Sequence, residues 1–134
     1  MDGVEQSEIL TRIFGRWPSF HDAEVVRIAL ERRPDGPSLE AQIRVFEVTS
    51  EIDSSGHSVH KNETLVSLLF LGVELEHLKG FNTQNVIASL DIAAIPSEEP
   101  GRSRFRVELP SLYGLDAVFE CERAVVLAAE PYTP

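Results

Sequence analysis

The chain has 134 residues, 43% of them hydrophobic, with a formal net charge of −10 and a pI near 4.8. This apolar content is enough for a hydrophobic core and excludes a disordered chain, and the length predicts a single domain over residues 1–134. So acidic a surface repels phosphate backbones and anionic membranes, which argues against binding to nucleic acid or to a membrane and favours a basic protein partner.

The first predicted element is an amphipathic helix over about residues 4–14. Apolar residues recur at helical spacing within 9–14. Asp2 and Glu5 have the spacing of a capping box, and Gly15 is a suitable residue to end the helix.

After Pro18 the hydrophobic period changes from 3.6 to 2, which is typical of half-buried strands. Two alternating runs, 26–30 and 39–45, flank the turn sequence of residues 34–37 and predict a β-hairpin. The residues expected on the buried faces of this hairpin are Val26, Ile28, Leu30, Leu39, Ala41, Ile43 and Val45.

The second half of the chain predicts further strands over 64–75, 105–109 and 117–127. The last of these carries its apolar residues on one parity, from Ala117 through Cys121 to Leu127. Residues 50–62 fit either a long loop or a lengthened hairpin tip, and residues 86–92 fit either a strand or a short helix.

The order of these elements indicates the fold class. One helix is followed by about six strands, and strands and helices do not alternate, which argues against a parallel sheet. We therefore predict an α+β fold, in which one N-terminal helix packs on a curved, mainly antiparallel β-sheet of about six strands.

The sequence also bears on location. Cys121 is the one cysteine, so no intrachain disulfide is possible, which fits a reducing compartment. The N-terminus is acidic and lacks the apolar core of a signal peptide, and the longest apolar run, 68–73, is far short of the roughly 20 residues of a membrane helix. A cytoplasmic protein is expected.

The densest chemistry lies in the string RWPSFHDAEV, residues 16–25. Asp22 and Glu24 share strand parity with Val26, and two carboxylates at the rim of an apolar face are candidates for a general acid. Alternatively, they cap backbone amides or pair with arginines. His21 beside Asp22 resembles a catalytic pair, but neighbours on a strand point to opposite faces and no GxSxG nucleophile motif occurs.

Metal and cofactor sites are not predicted. His57 and His60, with Asp53 nearby, lie in a flexible polar segment and fall short of a converging ligand set. The glycines do not form a phosphate-binding loop. A non-catalytic binding role is therefore favoured, and the alternative is a small ligand-binding protein or hydrolase with a pocket of His21, Asp22 and Glu24.

Four strings of the sequence are characteristic in combination. They are WPSFHDAEV at 17–25, FN with QNVI at 81–87, YG at 113–114 and FEC at 119–121. Together, from about Ile13 to Pro131, they resemble the immunity protein 50 family of bacterial polymorphic toxin systems.

The resemblance implies a small α+β protein that binds and neutralises a cognate toxin, without enzyme activity or cofactor. Because many toxins that attack nucleic acid carry basic clefts, the implied partner is a basic toxin domain. The strings then read as fold determinants, and the residues in this structural role are Trp17, Pro18, Phe20, His21, Asp22, Glu24, Phe81, Asn82, Gln84 and Asn85.

The toxin-facing surface is expected to be acidic and to lie outside these strings, because loops on a rigid sheet can vary to match one partner. Two segments fit, 47–62 and 96–101. Their candidate contact residues are Glu47, Glu51, Asp53, Glu98 and Glu99.

Overall fold

The computed structural model describes residues 1–132, together with their side chains except those of 48–50 and 58. Strands make up 58% of the chain and helix 5%. In chain order the elements are β1 (Val4–Glu5), α1 (Glu8–Phe14), β2 (Glu24–Arg33), β3 (Gly36–Ile52), β4 (Ser58–Leu71), β5 (Glu74–Lys79), β6 (Val86–Ile87), β7 (Asp91–Ala94), β8 (Phe105–Leu109), β9 (Ser111–Tyr113), β10 (Asp116–Cys121) and β11 (Arg123–Pro131).

The strands form two sheets. The larger has seven strands in the order β1-β11-β4-β3-β2-β6-β9, and the smaller has four in the order β5-β10-β8-β7. The pairs are antiparallel apart from β1, which runs parallel to β11. Side chains from both sheets share one hydrophobic cluster, in which the rings of Phe70 and Phe119 meet edge to face at 5.0 Å.

The predicted α+β class is therefore wrong, because the chain is mostly β with a second sheet where a helical layer was expected. Both stretches left open in the sequence form strands. Residues 50–62 are a lengthened hairpin tip with a turn at 53–57, and residues 86–92 contribute to β6 and β7. Since a sheet can bury its apolar face against another sheet, no further helix is needed to cover the core.

The two sheets are joined by strands that pass from one to the other. The chain crosses at Gly72, between β4 and β5, and at Glu122, between β10 and β11. Glu122 donates its amide to the Leu71 carbonyl at 2.9 Å, so the two crossings lie side by side. Gly72 has φ 65°, and a Cβ there would lie 2.8 Å from the Glu122 side chain.

This crossing explains why the predicted parity of the last strand is wrong. Ala117, Phe119 and Cys121 point into the core as expected, but after the bend at Glu122 the residues that join the core cluster are Ala124 and Val126, while Val125 is buried outside that cluster. Leu127, predicted on the buried face, is exposed. A bend of one residue reverses the alternation because successive side chains on a strand point to opposite faces.

The first hairpin is confirmed, but the buried face of its first strand differs. Leu39, Ala41, Ile43 and Val45 are all fully buried in β3. In β2 Ile28 packs against the core as predicted, but the register shift between Val25 and Arg27 leaves Val26 37% exposed, and Leu30, although paired with the buried Leu39, is 55% exposed. A β-bulge of this kind inserts one unpaired residue and reverses which side chains face the core.

The predicted helix is confirmed at its end and wrong at its start. Gly15 ends α1 in the left-handed conformation and donates its amide to the Thr11 carbonyl at 2.8 Å. The predicted capping box does not form, because Val4–Glu5 is a strand and the Glu5 carboxylate instead makes two hydrogen bonds to Arg123 at 2.7 and 2.8 Å. Leu10 and Phe14 bury the helix against the core.

Within residues 1–132, no helix is long and apolar enough to cross a membrane.

Candidate functional site

Three of the four strings meet in space where β2, β6 and β9 adjoin, a region we call the strand junction (residues 17–25, 80–87 and 111–116). Glu24 pairs with Val86, and Val86 pairs in turn with Tyr113. Backbone hydrogen bonds extend this contact, from the amide of Val25 to the Asn85 carbonyl at 2.8 Å and from Ile87 to Ala23 at 3.0 Å. Residues 60 to 64 positions apart are thereby held in one network.

Asp22 occupies a turn whose conformation is unusual for its side chain. The amide of Ala23 donates to the Phe20 carbonyl at 3.0 Å, and Asp22 within this turn has φ 65°. The Asp22 amide donates to Ile87 at 3.0 Å. Asp and Asn tolerate a positive φ better than other residues with a side chain, so an aspartate here has a conformational explanation.

Trp17, Pro18 and Phe20 pack the entry to β2. Pro18 and Phe20 are buried, and Trp17 is half-buried against the core, its ring 5.7 Å from that of Phe20. These side chains close the core between the end of α1 and the start of β2.

His21, Asp22 and Glu24 do not converge on one pocket. His21 Nδ1 lies 3.3 Å from Asp22 Oδ2, with the two side chains 65% and 53% exposed. Both line a cavity of about 430 Å³ with Glu47 and Lys61, and Glu24 is not among its lining residues. The Glu24 side chain is only partly buried, on the opposite strand face from the buried Val25.

Asn85 is the buried polar centre of the strand junction. Its Oδ1 accepts from the amides of Asn82 at 2.8 Å and Leu115 at 3.1 Å, and its Nδ2 donates to the Asn82 carbonyl at 2.8 Å. A Cβ at Gly114 would overlap the Gln84 carbonyl oxygen. The close approach of these two chain segments therefore requires glycine at position 114.

The other predicted structural residues of the 81–87 string lie at the surface. Phe81, Asn82 and Gln84 are exposed, with Phe81 at 49%. Asn82 Oδ1 accepts from the Thr83 amide at 2.8 Å.

Asp116 fixes the far side of the strand junction. Its two oxygens accept from the Ser111 amide at 3.1 Å and contact His77 Nε2 at 2.6 Å. The His77 hydrogen bond, followed by that from Ser111, lowers the pKa of Asp116. These contacts tie the β9 turn to β5, so the strand junction spans both sheets.

The acidic residues predicted between 47 and 62 lie on a hairpin, and the side chains of 48–50 and 58 in that segment are outside the described ones. Glu47 is half-buried, near Lys61 at 3.7 Å and accepting from Asn62 at 2.8 Å. Glu51 is exposed. Asp53 Oδ1 accepts from the amides of Ser55 and His57, each at 2.9 Å, and so shapes the turn.

Glu98 and Glu99 lie in the connection between β7 and β8, and both are exposed. Glu99 pairs with Arg102 at 2.8 Å. These residues line a cavity of about 470 Å³ together with Glu120 of the smaller sheet and Glu122 at the crossing between the sheets.

The outer face of the smaller sheet carries a ladder of ion pairs. Arg104 bridges Glu74 and Glu120, each at 2.8 Å. Arg106 lies 3.0 Å from Glu76 and 2.9 Å from Glu108. Each arginine is shared by two carboxylates, so this face remains acidic after pairing.

The residues considered for metal or thiol chemistry are placed as follows. His60 stacks on Phe46 at 4.2 Å, and His57 lies in the turn with Asp53. Among residues 1–132 no group of three or more His, Cys, Asp or Glu side chains is placed to hold a metal ion. Cys121 is a buried free thiol, and burial raises its pKa to about 12.

The comparison with known families decides the relationship of this chain. Residues 6–132 match the family described as Immunity protein 50. The chain belongs to the immunity protein 50 family. No solved structure matches it.

The match covers every string on which the resemblance depends, and both candidate acidic segments. The ion-pair ladder of this immunity protein 50 family member was not predicted from its sequence. A signal was present, because residues 104–108 alternate charged with apolar side chains, the pattern of a strand with one solvent-exposed face. The alternation does not show which strands are neighbours in the sheet, and therefore does not show which charged side chains pair.

Proposed function

We propose that this chain is an immunity protein that binds a cognate bacterial toxin domain and neutralises it, without catalysis, through an acidic surface. The observation that carries the proposal is membership of the immunity protein 50 family over nearly the whole chain. The protein acts as a single domain in the cytoplasm, where a free cysteine stays reduced.

Charge distribution supports a basic partner. Residues 74–122 contain nine carboxylates and four basic side chains, and most of these lie on or beside the smaller sheet. Opposite charge on a toxin would accelerate its association, and an acidic surface can occupy a cleft that otherwise receives a phosphate backbone.

The connection that carries Glu98 and Glu99 is the stronger of the two predicted contact segments. Its carboxylates are exposed and border the ion-pair ladder, so they extend one acidic surface. At the hairpin tip the Asp53 carboxylate already binds two amides of its own turn. A side chain that shapes its own turn has less freedom to match a partner.

The strand junction has an architectural role in this proposal. Asn85 binds three backbone groups of the chain itself, and Asp22 supplies a turn conformation rather than a buried acid. The His21–Asp22 contact is more than half exposed to solvent, unlike the water-excluded sites in which catalytic pairs usually act.

The test is neutralisation. The toxin domain encoded beside this chain's gene is expressed in bacterial cells with and without the chain, and binding of the two purified proteins is measured by calorimetry. We expect cell survival with the chain present and a stoichiometric complex. Failure to bind at micromolar concentration, with no protection of cells, would overturn the proposal.

An enzymatic mode of protection is distinguished by the Asp22→Asn and His21→Gln variants. Both keep the side-chain size, and asparagine tolerates the backbone conformation of position 22. Full protection by both variants is expected. Loss of protection with retained toxin binding would instead indicate catalysis at this pair.

A further inference from the structure

Beyond Asp91, the one charged residue of the strand, the free edge of the smaller sheet at β7 lacks the charged side chains and β-bulges that usually keep sheet edges from pairing. Its exposed residues at the outer end are Ala93 and Ala94, which are small and uncharged. By contrast, β5 at the opposite edge carries Lys79 and a register shift near Glu76. Charged residues and bulges protect edge strands, so an edge without them is open to another strand.

The larger sheet ends in strands that are too short to offer such an edge. There, β1 has two residues, and β9 has three and follows Pro110. Pairing along β7 reaches further, because the Ile95 amide donates to the Arg104 carbonyl at 3.0 Å beyond the end of the strand.

That hydrogen bond also shows which backbone groups face outward. Ile95 and Arg104 continue the register in which Ala93 pairs with Arg106, so positions 91, 93 and 95 bond to β8. In an antiparallel pair the intervening residues point their N–H and C=O groups the other way. The backbone groups of Ile92 and Ala94 therefore face away from β8, and among residues 1–132 no strand lies on that side.

We propose that β7 is a docking edge, at which an extended basic segment of the toxin pairs as a fifth strand of the smaller sheet. The inference rests on the proposed function and identifies β7 as the surface at which the toxin binds. Backbone pairing of this kind supplies affinity, while side chains beside the strand supply specificity.

Charge complementarity identifies the occupant. A strand laid along β7 passes Asp91 at one end and the Glu98–Glu99 connection at the other, with Glu108 paired beside Asp91. Basic side chains on the added strand would meet these carboxylates. A second copy of this chain is disfavoured at the same edge, because each copy carries a net charge of −10.

The experiment compares two substitutions at one position. Ala94→Pro removes an N–H that faces the open edge, and proline is tolerated in an edge strand at such a place. Ala94→Ser is the matched control, because it keeps the backbone N–H of position 94 and its side chain is of similar size. Calorimetry with the toxin domain encoded beside the gene should show binding about tenfold weaker for Ala94→Pro and unchanged for Ala94→Ser.

Amide hydrogen exchange supplies the second readout. In the free protein the amides of Ile92 and Ala94 should exchange faster than that of Ala93, and in the toxin complex both should become protected. Unfolding in urea should show that Ala94→Pro is folded, so that weaker binding is not a consequence of lost structure.

The outcomes separate this inference from the proposed function. If the toxin binds wild type and Ala94→Pro equally and leaves both amides unprotected, the docking edge is wrong and the proposed function stands. If the two amides are protected without toxin and sedimentation shows a dimer, the occupant is a second copy and the inference is overturned. If wild type does not bind the toxin, both proposals fall.

Discussion

The strand junction and the β7 edge differ in where their hydrogen-bonding groups find partners. At the strand junction, Asn85 is buried and its amide binds three backbone groups of the same chain. Along β7, the backbone groups of Ile92 and Ala94 face outward, beside carboxylates that lie at the surface. One region uses its hydrogen-bonding capacity within the chain, and the other leaves it available to a partner.

This contrast shows that the segments with the most distinctive side chains are not the segments proposed to bind the partner. The strings that stand out in the sequence, with tryptophan, histidine, aspartate and asparagine, are placed where they hold strands together. The proposed contact edge is the short strand Asp91–Ala94, whose outward backbone groups belong to Ile92 and Ala94, between a polar turn and an acidic loop. A buried polar side chain that hydrogen-bonds to backbone groups of the same chain stabilises the fold. If that side chain is removed, the buried backbone groups lose their partner and the folded state is destabilised.

The largest effect is expected from Asn85→Ala, which removes the centre of the strand junction. The amides of Asn82 and Leu115 and the Asn82 carbonyl would lose their partner, so the free energy of unfolding should fall by about 3 kcal/mol. Urea unfolding at neutral pH measures this. Asn82→Ala, which removes one surface contact to Thr83, should cost well under half as much, and equal losses would contradict the assigned role of Asn85.

A smaller effect is expected at Asp22, where conformation can be separated from charge. Asp22→Ala places a methyl group at φ 65° and should lower the free energy of unfolding by about 1–2 kcal/mol. Asp22→Gly also removes the carboxylate but accepts this φ, so its stability should be close to that of wild type. If alanine and glycine destabilise equally, the carboxylate rather than the backbone determines this position.

The smallest effect on stability is expected from reversing the acidic pair on the β7–β8 connection. The double variant Glu98→Lys with Glu99→Lys should change the free energy of unfolding by less than about 1 kcal/mol, because both residues are exposed. Its association with the toxin should nevertheless be slower, most visibly at low salt, where exposed charges act over longer distances. Stopped-flow kinetics at two salt concentrations measures the rate.

Two further reversals locate the charge effect. Glu31→Lys with Asp35→Lys changes the net charge equally at the β2–β3 turn, and should slow association less. Glu51→Lys with Asp53→Lys tests the hairpin tip. An unchanged rate for the Glu98–Glu99 variant, with a slower rate on reversing Glu74 and Glu76, would move the contact from the connection to the face of the smaller sheet.

The sequence by itself determined the local elements whose cause is local. The alternation of Leu39, Ala41, Ile43 and Val45 correctly predicted a strand with one buried face, since a side-chain period of 2 follows from strand geometry. Gly15 correctly predicted the end of the helix, because glycine adopts the left-handed conformation without steric cost. The strings also identified the family, because they depend only on the order of residues.

Only the tertiary structure decided the fold class and the place of each candidate residue. The bends at Gly72 and Glu122 and the bulge after Val25 reverse strand parity, and one residue of shift moves every following side chain to the other face. Glu5 does not cap the helix as predicted, because its carboxylate accepts a hydrogen bond from Arg123, 118 positions away. Asn85, the β7 edge and the ion-pair ladder depend on which strands are neighbours, and strand order is set by long-range packing of the two sheets rather than by any local pattern.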